Sequence, residues 1–290
     1  MVASSPAITN YLIQKTGIKL KPKALIVFVL IAAFAWVLHM LGQVTFPSQS
    51  FVPFVIRSVI TASALVILLF TNLRLLKKSG LPASSLGLEL SIKSAKSFLL
   101  GALTAVAAMV IMSLLTGFFV PYHFAHGPIP VAEVFKTSFS YLLGNTIEEL
   151  IFRAYPLIIL SQNIGWRNAA LIMALPFGLF HLPGVESVTQ GMSIVITTSL
   201  YSLVFSFVFI LTGSLWAAIG THVISNIILH LILGLDGGNN SLFVPVFDAK
   251  WPSGYNVSLL IYIITVAVVS SCLYACIIRK ARTLTVRKIK

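Results

Sequence analysis

Apolar residues run in long blocks through this chain, with polar residues gathered between the blocks instead of alternating within them. Helices need about 20 mainly apolar residues to cross a hydrocarbon core of roughly 30 Å. Eight runs approach that pattern: Ala24–Leu41, Val55–Leu73, Ser97–Val120, Lys136–Leu160, Asn168–Leu182, Met192–Leu211, Leu215–Leu233 and Val257–Ile278. The reading they support is an all-α, polytopic membrane protein of about eight transmembrane helices. It has a basic N-terminal segment (1–23), an eight-span region (24–278) and a basic tail (279–290). Neither internal repeats nor low-complexity tracts interrupt it, and residues 1–23 lack the pattern of a cleaved signal peptide.

Composition agrees with that pattern. The 290 residues are 58% hydrophobic and only 9% charged. A soluble globular chain carries about 25% charged residues, so there is too little polar surface here to cover water-soluble domains. Disorder, coiled coils and collagen-like fibres are excluded on the same grounds. Cys272 and Cys276 share one apolar run at i and i+4, a poor spacing for a disulfide.

The net charge of +13 is informative through its placement. Of 20 basic residues, 17 lie before span one, between spans two and three, near the link between spans four and five, or after span eight. Arg57, Lys136 and Lys250 are the three left over. By the positive-inside rule both termini are expected in the cytoplasm of a cell-membrane protein, which favours an even number of spans. The tail is expected to rest on anionic headgroups, at about 1 kcal/mol per basic residue, and no nucleic-acid partner is expected.

Five of the seven acids (Glu89, Glu133, Glu186, Asp236 and Asp248) fall in or beside loops. Glu148 and Glu149 fall within span four, where an ionised group costs on the order of 3 kcal/mol. Glu149 precedes Arg153 by four residues, the favourable order for a helical ion pair. Glu148 points about 100° away around the helix and needs other partners. Candidates are Asn145, His181 at the end of span five, and a stripe of His222, Asn226 and His230 on span seven. If these spans stood straight and upright, Glu148 would lie mid-bilayer, His222 nearer the inner side and His181 nearer the outer side; Pro176 offers a kink in span five.

A carboxylate, two imidazoles and an amide enclosed in a membrane support two chemistries. In one, Glu148 is a general base that takes a proton from water, while His and Asn side chains stabilise the oxyanion. In the other, Glu148, His181 and His222 hold zinc, which activates the water instead. Neither HExxH nor HxxEH is present to favour the metal.

Three motifs stand in order on these spans: Glu148-Glu149-Leu150-Ile151-Phe152-Arg153 as EExxxR, Phe177 to His181 as FxxxH, and His222 to Asn226 as HxxxN. With Thr212-Gly213-Ser214-Leu215-Trp216-Ala217-Ala218 leading into the third, residues of about 140–230 resemble the CPBP family of intramembrane proteases. That family unites type II CAAX prenyl endopeptidases with bacteriocin-processing and self-immunity proteins. The resemblance implies an intramembrane endopeptidase acting on a membrane-associated protein or peptide. It implies Glu148 as the water-activating base, His181 in positioning or polarising, His222 and Asn226 at the oxyanion, and Glu149 with Arg153 as support. The family is described both as metal-dependent and as metal-free; Asn226 suits oxyanion binding better than metal ligation, so no cofactor is expected, with zinc on Glu148, His181 and His222 the alternative. Where many members continue EExxxR with Gly, this chain has Ala154. A non-catalytic scaffold, immunity or regulatory protein on the same fold is the rival class, and a transporter the third.

Overall fold

The computed structural model describes residues 18–46, 50–234, 240–247 and 255–289. Lys15, Asp236, Asp248, Lys250, Lys290 and most of the basic N-terminal segment lie outside the described residues. The elements are α1 (Pro22–Thr45), α2 (Phe51–Lys78), α3 (Ile92–Phe119), β1 (Tyr122–His126), α4 (Val131–Phe152), α5 (Tyr155–Ile164), α6 (Trp166–Leu179), α7 (Val188–Thr212), α8 (Leu215–Asn226), β2 (Phe243–Phe247) and α9 (Tyr255–Ile289). A short 3₁₀ turn covers Ala83–Leu86, and α8 continues as a π turn over Ile227–Ile232.

Among the described residues six helices are long and apolar enough to cross a membrane: α1, α2, α3, α7, α8 with its π turn, and residues 257–283 of α9. The chain is a polytopic, all-helical membrane protein apart from one small sheet. The remaining two expected spans take another form. Lys136–Leu160 is not one helix, because the backbone breaks at Arg153 and Ala154 and restarts as α5. Pro156, in the first turn of α5, cannot supply an amide hydrogen to a continued helix. Asn72 of α2 fills the break: its Oδ1 accepts from the Tyr155 amide at 2.8 Å, and its Nδ2 donates to the Leu150 carbonyl at 3.2 Å. The expected fifth span is the 14-residue α6, which follows the 10-residue α5 across Gly165, where φ is +85°.

Several ties gather one end of the bundle. Lys21 Nζ donates to the Lys78 carbonyl, joining the start of α1 to the end of α2. Ser214 Oγ, between α7 and α8, donates to the Gly87 carbonyl, and Lys280 Nζ reaches the Leu211 carbonyl. At the opposite end β1 and β2 pair antiparallel, with Tyr122 opposite Phe247 and His126 opposite Phe243. The segment that carries all three motifs lies between those strands.

Packing is closest between α3 and α8, where glycines let the backbones touch. A Cβ on Gly101 would strike the Ala217 carbonyl, and one on Gly220 would strike the Phe98 carbonyl. Small residues at such crossings are the usual way helices approach in lipid. This contact fixes α8, and with it His222 and Asn226, against the bundle. Many side chains on α1, α2 and α3 instead face outward, among them Leu30, Phe34, Val66, Phe70, Leu103 and Leu114. On a membrane protein those are lipid-facing positions.

Candidate active site

Each motif enters the site from a helix end or a helix irregularity. Glu148 and Glu149 lie in the last turns of α4, just before the Asn72-filled break. His181 follows the end of α6, past Pro176, which leaves the turn before it without one helical donor. His222 sits within α8, and Asn226 stands where α8 passes into its π turn. Such π turns are frequent at functional sites because they re-aim side chains.

The supporting layer is built on a fully buried ion pair. Arg153 Nη1 donates to Glu149 Oε1 at 3.3 Å, and neither side chain is exposed to solvent. Arg153 Nη2 donates to Ser202 Oγ at 2.6 Å and to the Ser202 carbonyl at 3.3 Å. The guanidinium also faces the rings of Phe177, Phe205 and Phe152, at 4.1, 5.1 and 5.7 Å from their centroids. A cation in hydrocarbon is thus surrounded by a carboxylate, two oxygens and three π faces. Ser202 and Asn72 are site-supporting residues that the motif reading missed; each is a polar residue inside an otherwise apolar run.

Glu149 has a second partner, because its Oε1 also accepts from His222 Nδ1 at 2.8 Å. His222 stacks on Phe205, with ring centroids 4.3 Å apart and planes 21° apart. His181 Nδ1 lies 2.8 Å from the Phe177 carbonyl. A carbonyl and a carboxylate can only accept, so both imidazoles carry hydrogen on Nδ1 and turn Nε2 toward Glu148. His181 Nε2 is 3.6 Å from Glu148 Oε2, and His222 Nε2 is 3.9 Å from the same oxygen.

Those distances and tautomers define the chemistry. Glu148 Oε2 is buried without a hydrogen-bond partner, and with neutral imidazoles it faces two more acceptors. Three lone pairs aimed at one small space call for a proton-bearing species among them. A water molecule held there would donate to the carboxylate and be turned by the imidazoles. Zinc would use the same three donors, but among the described residues no group of three His, Cys, Asp or Glu side chains is arranged to hold a metal ion.

The neighbouring amides add a donor. Asn226 Nδ2 donates to Asn145 Oδ1 at 3.3 Å, while Asn145 Nδ2 is buried with no partner of its own. A cavity of about 780 Å³ is lined by His181, His222 and Asn226 at one end. It extends past Met112, Tyr201 and Tyr262 toward Pro245 and Phe247 of β2, and among the described residues no Lys, Arg, Asp or Glu lines it. Tyr201 and Ser225 of this wall share a hydrogen bond at 2.7 Å. His230 also lines it, so the His222, Asn226 and His230 stripe faces one space.

The helical membrane bundle thus holds a buried glutamate against two histidines, with a pair of amides beside them. Residues 130–228 match the family model described as type II CAAX prenyl endopeptidase Rce1-like. That stretch is about a third of the chain, contains all three motifs, and agrees with their resemblance to the CPBP/CAAX proteases. Comparison with curated proteins finds no match to the chain.

Proposed function

We propose that the protein is an intramembrane endopeptidase that hydrolyses a peptide bond of a membrane-associated protein or peptide with a water activated by Glu148. The observation that carries this reading is the approach of His181 Nε2 and His222 Nε2 to Glu148 Oε2, at 3.6 and 3.9 Å, beside a cavity able to hold a peptide segment. The family match supports the protease class.

Glu148 takes one proton from the water, and the remaining hydroxide adds to the carbonyl carbon. The resulting oxyanion is met by the Asn226 Nδ2 amide, on the helix that also carries His222. Glu148 then returns its proton to the leaving nitrogen as the C–N bond breaks. The products are a carboxylic acid and an amine, and the carboxylate is regenerated. His181, held by the Phe177 carbonyl, turns the water toward its target. Glu149 and Arg153 touch no reacting atom and act by holding His222.

This reaction is metal-free, and dialysis against a strong chelator is expected to leave activity intact. Loss of activity restored by zinc would replace Glu148 with the ion as the activating group. We also assign both termini to the cytoplasm of the cell membrane and the basic tail of α9 to anionic headgroups.

The decisive experiment compares protein termini in membranes carrying the native chain or Glu148→Gln at matched abundance. New termini found only with the native chain are the expected result. Identical termini, with the variant still supporting the native phenotype, would transfer the assignment to a scaffold or immunity role.

A further inference from the structure

Arg57 and Lys136 have no part in the motifs, and the structure places them on one polar line. Along α4, Lys136, Ser140, Gly144 and Glu148 recur every four residues and so share a face. Opposite them stand Arg57 and Thr61, also four apart, on α2, and His39 on α1. Arg57 Nη2 donates to Ser140 Oγ at 2.8 Å, and Ser140 Oγ donates to the Lys136 carbonyl at 3.1 Å. His39 Nδ1 lies 3.0 Å from Thr61 Oγ1, and the other edge of its ring lies against Gly144. A Cβ added at Gly144 would sit 3.7 Å from His39 Nε2.

Arg57 is only 9% exposed, yet no carboxylate among the described residues pairs with it; the Phe54 ring lies 5.9 Å away, and His39, a neutralisable base, is close enough to feel its charge. A buried cation without a counter-ion must be solvated by something else. Protein atoms supply one hydroxyl oxygen. Because Lys136 and its partner Glu133 are partly exposed at the start of α4, the line reaches the surface there. From Lys136 to Glu148 the rise is about 18 Å. None of these residues lines the cavity that holds His181, His222 and Asn226.

We propose that the α1–α2–α4 face is a hydrated file that delivers the hydrolytic water to Glu148 from the sheet-bearing end, separately from the cavity that takes the peptide. Arg57 and Ser140 form its mouth, and His39, Thr61 and Gly144 line its inner part. Its purpose rests on the hydrolysis proposed above. The separation has a chemical logic: a substrate filling the cavity would block water from that direction, while the file stays open behind Glu148.

The test uses single cysteines in a full chain whose exposed Cys272 and Cys276 are replaced by Ala. Ser140→Cys, Gly144→Cys and Phe139→Cys are each placed in nanodiscs and treated with a charged, membrane-impermeant thiosulfonate. Phe139 is 45% exposed on the outer side of the same turn and serves as the lipid-facing control. Ser140→Cys and Gly144→Cys are expected to react at least tenfold faster than Phe139→Cys. Equal rates would overturn the file. Adding Ser140→Leu is expected to slow labelling at Gly144→Cys and to lower kcat at least tenfold without changing KM. Unchanged labelling at Gly144→Cys would also overturn it. A labelled file in a chain that cleaves nothing would sink the hydrolysis alone, whereas cleavage with an unlabelled file would sink the file alone.

Discussion

Removing Arg153 should be among the most damaging single changes in this molecule. Arg153→Ala deletes the 3.3 Å pair with Glu149, two hydrogen bonds to Ser202, and the contact beneath three aromatic rings. It leaves Glu149 fully buried with the His222 Nδ1 hydrogen bond as its remaining contact of that kind among the described residues. Stranding one member of a buried pair costs about 3–5 kcal/mol, and the emptied ring cage places Arg153→Ala at the upper end. Glu149→Gln keeps the shape and one acceptor oxygen, so about 1–3 kcal/mol is expected. Glu149→Gln combined with Arg153→Met removes both charges and refills the cage. The double variant should therefore lose less than the sum of Glu149→Gln and Arg153→Met, by at least about 1 kcal/mol. Thermal unfolding of detergent-purified protein, read by size-exclusion of a fluorescent fusion, measures the whole cycle. Strict additivity, or an Arg153→Ala protein with an unchanged midpoint, would refute the account of the pair.

Glu148→Gln is expected to reduce kcat by about 10²–10⁴ while leaving the unfolding midpoint and membrane abundance unchanged, as comparison of activity with fluorescence of the fusion will show. Asn226→Ala should lower kcat by about 10²–10³, with KM nearly constant in a titration of cleaved peptide; a transporter would tolerate it far better than Glu148→Gln. Tyr201→Phe removes the hydrogen bond to Ser225 and should cost about 1 kcal/mol of stability, read from the same unfolding assay. Reporter fusions after Lys78 and after Gly184 should give opposite localisation signals, the first cytoplasmic.

Much of this organisation is legible in the sequence, for physical reasons. Helices in lipid must satisfy their own backbones, so hydrophobic blocks mark them directly. Glu149 and Arg153 are legible because their partnership is local, one helical turn apart. The break after Arg153 is different. One signal for it stands in the chain, Pro156, which cannot join an uninterrupted helix. The other is Asn72, more than eighty residues upstream, whose hydrogen bonds to Leu150 and Tyr155 exist only after the bundle packs. The placement of His181 beside Glu148 has the same tertiary origin: it follows from a short α6 ending near the break, not from the depth that an upright span would impose. The sheet is encoded weakly, by Tyr122 and Phe124 in one strand and by Phe243 and Phe247 flanking Val244-Pro245-Val246 in the other, and neither strand is long enough to declare its partner.

That sheet also constrains the order of assembly. His126 and Phe243 become neighbours only by closing a loop that contains α4 through α8, an entropy cost of about 4 kcal/mol for a flexible chain of that length. A nascent chain emerging from its N-terminus presents β1 long before β2 exists, so the pairing is a late, non-local event. Because β2 contributes Pro245 and Phe247 to the cavity wall, the chamber is incomplete until the strands meet. A chain halted before Phe243 would already hold Glu148, His181, His222 and Asn226 but would lack one wall of the chamber. The last wall of the cavity is therefore set by a contact that forms only after the whole motif-bearing segment has been made.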